Sequence, residues 1–289
     1  MRIKKGIDIT RESWMVLRKD RELLFFPLCS AVAAALIVAT ILSAGFLIPS
    51  FGQWASGVMD EEQAHSIGEQ ALGIVCLFVI YFIEWFIAVY FNTALVGCAL
   101  IRFSGGDPTI KDGFRIANRR LPQILAWALF TSAVGTILSA VEQRLGWFGK
   151  LIVRLVGLTW AVSTYFVVPV LAAEGASPST AVKRSVALLK KTWGEGLAGN
   201  IAIRVASLGV TLMIVGLAVL GFALAAYVES KVIAIATGAL LVLCLVLMAI
   251  IGSALRQVFL AALYEFSKTG NVPAGFSENS MRSALISSP

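Results

Sequence analysis

Charged residues are scarce in this chain: they make up 14% of its 289 residues, whereas apolar residues make up 58%. Soluble globular proteins carry about 25% charged residues, so this composition argues against an ordinary water-soluble domain. The chain also has only one histidine and four cysteines, with no Cys-x-x-Cys pair. These shortages argue against a zinc site and a disulfide framework, and we expect no metal and no cofactor.

The motifs of the common catalytic sites are missing as well. The sequence has no Gly-x-Ser-x-Gly nucleophile turn and no phosphate-binding loop. It also lacks the paired intramembrane acids that a membrane protease needs. We therefore predict no catalytic residues and expect that the protein is not an enzyme.

Six long apolar stretches are present instead, and they determine the fold class. About 20 apolar residues cross the hydrocarbon core as a helix, because lipid offers the backbone no hydrogen-bond partner. The sequence therefore predicts an all-α, polytopic membrane protein with six transmembrane helices, and Pro169 predicts a kink late in the fourth. The predicted spans are residues 24–48, 71–101, 124–140, 152–171, 201–227 and 232–260.

Lysine and arginine alternate between the loops. Seven precede the first span, five follow the second and four follow the fourth, whereas the other three loops hold none, two and one. Cationic loops stay on the cytoplasmic side, so this pattern predicts that both termini are cytoplasmic. The net charge of +7 is then expected to face anionic lipid headgroups, and no nucleic-acid partner is predicted.

Three Gly-x-x-Pro motifs, which begin at Gly105, Gly175 and Gly270, follow the second, fourth and sixth spans. Glycine ends a helix and proline begins the next, and Asp107 and Ser177 are predicted to cap the helices that follow. The pattern predicts three parallel hairpin repeats, about 1–104, 105–174 and 175–270, within a single six-helix domain, 1–270. Residues 271–289 are predicted to be a polar, disordered cytoplasmic tail.

Each hairpin is preceded by a predicted amphipathic helix on the cytoplasmic side, with apolar residues at i, i+4, i+7 and i+11. The apolar faces are Ile3, Ile7, Thr10 and Trp14; Ile110, Phe114, Ala117 and Leu121; and Val182, Val186, Leu189 and Trp193. The predicted headgroup contacts are Lys4, Lys5, Arg11, Lys111, Arg115, Arg119, Lys183, Arg184, Lys190 and Lys191. Such helices lie in the membrane interface and either anchor the hairpins or recognise anionic lipid.

Glu84 is the most unusual residue within the predicted spans, because it lies near the middle of the second one. A lone carboxylate at that depth costs about 2.5–3.5 kcal/mol on insertion scales, so it should be protonated, paired or facing water. Asn92, two helical turns later, lies on broadly the same side. These two residues form the candidate intramembrane polar site, and the role of Glu84 is either proton or solute coupling or a buried structural hydrogen bond.

Two stretches carry a family resemblance: residues 13–24, SWMVLRKDRELL, and residues 262–273, ALYEFSKTGNVP. They resemble an uncharacterised family of prokaryotic six-helix integral membrane proteins, which implies a location in the prokaryotic cytoplasmic (inner) membrane. The hairpins with interfacial helices are also similar to the membrane domain that precedes some glycerophosphodiester phosphodiesterases. The catalytic domain of those enzymes is missing here, so no functional residue is carried over.

These observations favour a non-enzymatic integral membrane protein that organises membrane lipids or a partner membrane protein, with homo-oligomerisation as a further form of partnership. The alternative is a small transporter or channel with its pathway at the pseudo-threefold centre and a polar site around Glu84. An intramembrane enzyme is a third class, and it lacks the required constellation of residues.

Overall fold

The computed structural model describes residues 2–47, 67–192, 195–278 and 281. These residues form α-helices and one 3-10 helix, without a β-strand, which confirms the all-α prediction. Six segments among them are long and apolar enough to cross a membrane: Arg21–Ser43, Ile74–Phe103, Leu121–Glu142, Trp147–Glu174, Leu208–Tyr227 and Lys231–Thr269. They agree with the six predicted spans and support a multi-pass membrane protein.

Short helices precede three of the long ones. The elements are α1 (Arg2–Lys19), the 3-10 helix (Arg21–Leu24), α2 (Phe25–Leu47), α3 (Ile67–Phe103), α4 (Ile110–Arg119), α5 (Leu121–Gln143), α6 (Trp147–Ser163), α7 (Val167–Glu174), α8 (Pro178–Thr192), α9 (Glu195–Tyr227) and α10 (Lys231–Thr269). The short helices α1, α4 and α8 fall where the sequence predicts amphipathic helices.

Each Gly-x-x-Pro motif ends a helix, as the sequence predicts. Gly105, Gly175 and Gly270 have φ angles of +87°, +61° and +74°, a conformation that glycine adopts without steric cost. The N–H of Gly175 donates to the carbonyl of Leu171 at 3.0 Å, and that of Gly270 donates to Phe266 at 2.9 Å. These bonds satisfy carbonyls that the end of a helix leaves without a partner.

The cap of α4 differs from the predicted one. Thr109, and not Asp107, occupies the capping position: its N–H donates to Asp112 Oδ2 at 3.1 Å, and the N–H of Asp112 donates to Thr109 Oγ1 at 3.2 Å. This reciprocal pair is a capping box. The helix begins two residues after Pro108, so Asp107 lies too far from its first turn, and the carboxylate of Asp107 binds Arg102 instead.

The fourth span is broken into two helices. α6 ends at Ser163 and α7 begins at Val167, with a turn between them. Pro169 explains the break, because its ring crowds the carbonyl four residues earlier and it has no N–H to bond it. The predicted kink is therefore present, and it takes the form of a turn just before the proline.

The chain divides into two compact units. Unit 1 comprises Met1–Leu28, Leu95–Gly113 and Leu188–Pro289, and unit 2 comprises Cys29–Ala94 and Phe114–Ala187. The limits of these units fall inside helices and differ from the predicted repeat limits. The threefold repeat and the single domain of residues 1–270 stay predictions.

The core of unit 1 forms where α1, the 3-10 helix and the C-terminal part of α10 pack together; α1 also contacts α9. Its buried side chains include Val16, Leu17, Leu23, Phe26, Val258, Phe259, Leu263 and Tyr264. The N-terminal part of α10 is largely exposed and apolar, as expected for a surface that faces lipid.

Unit 2 contains an aromatic cluster between α5 and α6. Trp127 and Trp160 stack with their ring centroids 6.1 Å apart, and the ring of Phe130 meets Trp160 edge-on at 5.5 Å. Aromatic pairs in these arrangements are favourable beyond the area that they bury. They hold the third and fourth spans together within this unit.

The residues after α10 turn back onto unit 1. Phe276 packs edge-on against Phe103 at 5.9 Å between ring centroids, and both Phe276 and Met281 are buried. The predicted disordered tail starts at residue 271, and the structure differs from that prediction at residues 271–278 and 281. The segment is ordered because these two apolar side chains are buried in the core of unit 1.

Candidate functional site

The outward face of α4 is basic. Lys111, Arg115 and Arg119 are exposed, whereas Gly113 and Ala117 on the other side of the helix are buried. Residues spaced by four lie on one face of a helix, so the three cations form a continuous basic stripe. Lys111 and Arg119 have no ion-pair partner among the described residues.

The inward face of α4 packs against the protein. In unit 1, a Cβ atom on Gly113 would lie 2.3 Å from Phe26 Cζ and 2.9 Å from Cys98 Sγ, so only glycine fits there. In unit 2, the ring of Phe114 lies 6.3 Å from that of Tyr90. The apolar face that the sequence assigns to the membrane interface is therefore occupied by protein contacts, while the basic face stays outward.

α8 has the same division. Lys183, Arg184 and Lys190 are exposed, whereas Ser185 and Leu189 are buried. Lys183 and Lys190 have no ion-pair partner in the described part of the chain.

Arg184 is the exception on this helix, since its Nε lies 3.5 Å from Glu174 Oε2 at the end of α7. Arg184 is well exposed, and such surface pairs contribute little to stability. Its guanidinium therefore also remains accessible to a ligand.

α1 presents an exposed stripe of a different composition. Arg11, Trp14, Met15 and Arg18 are exposed and lie at i, i+3, i+4 and i+7, whereas Leu17 is buried in unit 1. Tryptophan and arginine side chains are suited to the membrane–water interface, because each has an apolar body and a polar end. Arg18 is an exposed cation that the predicted set of headgroup contacts left out.

The three remaining predicted headgroup contacts have side chains outside the described residues. They are Lys4 and Lys5 on α1 and Lys191 on α8. Trp193, the last residue of the predicted apolar face of α8, lies outside them entirely.

A polar cluster in unit 1 joins α1 to α3 and α4. Arg102 at the end of α3 donates from Nε and Nη2 to the two carboxylate oxygens of Asp20, and from Nη2 to Asp107. Glu22 Oε2 accepts the N–H of Ile110 at 2.9 Å, which places a carboxylate at the N-terminus of α4, where the helix dipole favours negative charge. Among the described residues, the ion pairs of Asp20 and Asp107 are both made with Arg102, and Arg102 is not one of the predicted headgroup contacts.

A second polar cluster, in unit 2, supports the break in the fourth span. The buried hydroxyl of Ser185 on α8 accepts the N–H of Phe166 at 2.9 Å. Arg120 Nη2 donates to the carbonyl of Ala173 at 3.3 Å, near the C-terminal end of α7, where cations are favourable. α8 is thus fixed to the broken span by its buried side, which leaves its lysines directed outward.

Glu84 and Asn92, the predicted intramembrane site, lie on α3 without contact to each other. Glu84 is exposed and Asn92 is half-buried, and neither has a hydrogen-bond or ion-pair partner among the described residues. The polar contacts that α3 makes in unit 2 come from other residues: Tyr81 Oη lies 3.2 Å from Ser139 Oγ, and Tyr90 donates to Asn118 Oδ1 at 2.7 Å.

An apolar groove of about 390 Å³ runs along α6 in unit 2, and its lining residues are Ile152, Leu155, Val156, Thr159, Trp160 and Ser163. Their composition suits a hydrocarbon chain and offers no charge to a polar substrate. Within the described residues, no group of histidine, cysteine and acidic side chains could hold a metal ion.

Sequence reasoning missed Asp20, Arg102 and Ser185 as organising residues. The available signal for Asp20 was an acid within a strongly basic segment, which suggests a local partner for one of the cations. Ser185 offered no comparable signal, because a serine on the apolar side of an amphipathic helix is common.

One family model matches residues 71–276 of the chain, and that family is described as a family of unknown function (DUF6159). No curated protein and no solved structure matches the chain. None of these comparisons links it to the membrane domain of glycerophosphodiester phosphodiesterases.

Proposed function

The chain belongs to DUF6159, a family of unknown function, and we propose that it is a non-enzymatic membrane protein that organises anionic lipid at one face of the bilayer. Each of the helices α1, α4 and α8 contributes its own outward side to lipid binding. The described cations on these three outward sides, here together called the basic surface without regard to how the helices are arranged, are Arg11, Arg18, Lys111, Arg115, Arg119, Lys183, Arg184 and Lys190.

The observation that carries this proposal is the division of α4 and α8 into a protein-facing side and an outward basic side. If these helices served only to anchor the hairpins, their buried sides would suffice. Of these outward cations, Lys111, Arg119, Lys183 and Lys190 are exposed and make no ion pair with the described part of the chain, so their charges are available to a ligand.

The physical basis is the attraction between cations and an anionic membrane surface. Each lysine or arginine near such a surface contributes about 1 kcal/mol, and the attraction falls off within about a Debye length. On α1, the exposed Trp14 and Met15 add apolar contacts beside Arg11 and Arg18. All these residues lie on the side of the membrane that the charge alternation predicts to be cytoplasmic, where anionic headgroups would be the ligand.

Lipid retention by the purified protein tests the proposal. Native mass spectrometry of the full chain in detergent, supplied with equal amounts of phosphatidylglycerol and phosphatidylcholine, should show preferential retention of phosphatidylglycerol. The double variant Lys111→Gln/Arg119→Gln should lose roughly 2 kcal/mol of this preference, about a thirtyfold change in relative affinity.

The matched control also removes two positive charges, but from loops on the predicted outer side of the membrane. Arg144→Gln/Lys231→Gln changes one arginine and one lysine, both exposed, and should leave the lipid preference unchanged. Equal loss in both double variants would mean that net charge alone, and not the basic surface, determines retention.

The alternative function is a small transporter or channel with a polar site around Glu84. It predicts proton-linked flux in proteoliposomes that Glu84→Gln abolishes while the protein remains folded. Flux that persists unchanged in this variant would remove Glu84 from the transport alternative.

A further inference from the structure

The apolar groove on α6 has the length of a lipid chain. Its lining runs from Ile152 to Ser163, which corresponds to about 16 Å of helix at a rise of about 1.5 Å per residue. One leaflet contributes about half of a hydrocarbon core that is about 30 Å thick, so the two lengths agree. The groove falls within the candidate span Trp147–Glu174, and the hydrocarbon chains of the bilayer are therefore the medium around it.

The groove is apolar along its length and has one free polar group at its end. Ile152, Leu155 and Val156 form its first part. The hydroxyl of Thr159 donates to the carbonyl of Leu155 at 2.9 Å, so its hydrogen is already bonded. The hydroxyl of Ser163, the last residue of α6, makes no hydrogen bond with the described part of the chain. A hydroxyl in this position can donate to an ester or phosphate oxygen of a lipid.

Cations adjoin the same end of the groove. The hydroxyl of Ser185 accepts the N–H of Phe166 at 2.9 Å, and Phe166 follows Ser163 by three residues. This hydrogen bond attaches α8 to the end of the groove. Lys183 and Arg184 directly precede Ser185 and are exposed. Their charge is complementary to an anionic headgroup.

We propose that the groove binds one acyl chain of an anionic phospholipid whose headgroup lies at Lys183 and Arg184. This inference rests on the proposed lipid-binding function and adds a site that combines chain and headgroup contacts. A transmembrane helix of a partner protein would cover the apolar lining but would leave the Ser163 hydroxyl and the two cations unmatched. An anionic phospholipid matches all three features.

Photo-crosslinking of the reconstituted full-length protein tests the site. The probes are phosphatidylglycerol and phosphatidylcholine, each with the same diazirine-bearing acyl chain, and mass spectrometry of peptides maps the adducts. Adducts should concentrate on residues 152–163 and should be stronger with phosphatidylglycerol than with phosphatidylcholine. Lys183→Gln/Arg184→Gln should remove most of the difference between the two lipids, because it removes the charges that distinguish them.

A groove-filling substitution tests the position of the chain. Val156→Trp should lower the adducts on the groove, because the larger side chain occupies the space of the lipid chain. The matched control is Leu158→Trp on the same helix, at a 61% exposed position that does not line the groove, and it should leave these adducts unchanged. Equal adducts in the two variants, or equal labelling of the groove by the two lipids, would overturn the inference.

Failure of this site is distinguishable from failure of the proposed function. If native mass spectrometry shows preferential retention of phosphatidylglycerol while the adducts spread evenly over the exposed apolar residues of α6, the groove is not the binding site, although the protein still prefers anionic lipid. If neither the preference nor the groove adducts are observed, the proposed function is wrong as well.

Discussion

The guanidinium of Arg102 donates hydrogen bonds to both carboxylate oxygens of Asp20, a residue 82 positions earlier in the chain. The Asp20 side chain is 6% exposed and that of Arg102 is 15% exposed. This bidentate pair fixes the end of α3 to the end of α1 within unit 1. A largely buried pair of this kind is costly to break, because removal of one partner leaves the other charge uncompensated.

Asp20→Ala should therefore destabilise the protein by about 3 kcal/mol or more. The matched control is Asp107→Ala, since Asp107 binds the same guanidinium but its side chain is 90% exposed; it should cost less than about 1 kcal/mol. Unfolding of the purified protein in a detergent and denaturant series measures both changes. Similar values for the two variants would show that the buried pair has no special role.

Replacement of Gly113 tests the contact between α4 and the core of unit 1. Gly113→Ala should cost about 1–3 kcal/mol, because the added methyl group overlaps the ring of Phe26. Gly157→Ala, at a helical glycine with open space around its Cβ position, should be neutral or stabilising. In the Phe26→Leu background the Gly113→Ala penalty should shrink, and an unchanged penalty would contradict the proposed overlap.

Ser185→Ala should destabilise the protein by about 1–3 kcal/mol, because it leaves the buried N–H of Phe166 without its acceptor. Ser179→Ala on the exposed side of the same helix is the control and should change stability by less than about 0.5 kcal/mol. Thermal unfolding with a tryptophan fluorescence readout distinguishes the two. If both variants melt like wild type, the break in the fourth span does not depend on this hydrogen bond.

The predicted orientation is tested by labelling intact cells with a membrane-impermeant thiol reagent, in a background without the native cysteines. Gly146→Cys should react, because this exposed position lies between the third and fourth spans, on the predicted outer side. Ser104→Cys and Ser179→Cys are equally exposed and should react only after permeabilisation. Labelling of the last two in intact cells would reverse the topology.

Features that depend on a few neighbouring residues were predictable from the sequence. The six spans follow from local hydrophobicity, and the helix ends at Gly105, Gly175 and Gly270 follow from a conformation that favours glycine. The outward lysines of α4 and α8 follow from spacing along one helix. Each of these conclusions uses the properties of a single segment.

Features that depend on distant partners were not predictable. Nothing in the sequence pairs Asp20 with Arg102, because any of several nearby cations has the right charge. The face of α3 that carries Glu84 was also undetermined, since α3 is apolar on nearly all sides and has no polar stripe to orient it. Phe276 lies in a short segment after the last helix, and its burial depends on the core that it contacts.

Preference of the basic surface for anionic lipid can be measured by electron spin resonance of spin-labelled lipids around the reconstituted full-length protein. We expect a higher relative association constant for phosphatidylglycerol than for phosphatidylcholine. This preference should decline as salt is raised from about 0.01 to 1 M, because the Debye length falls from about 30 to 3 Å, and it should nearly vanish in Lys111→Gln/Arg119→Gln/Lys183→Gln/Lys190→Gln. Equal association of the two lipids with wild type at low salt would show that the basic surface does not recognise anionic lipid.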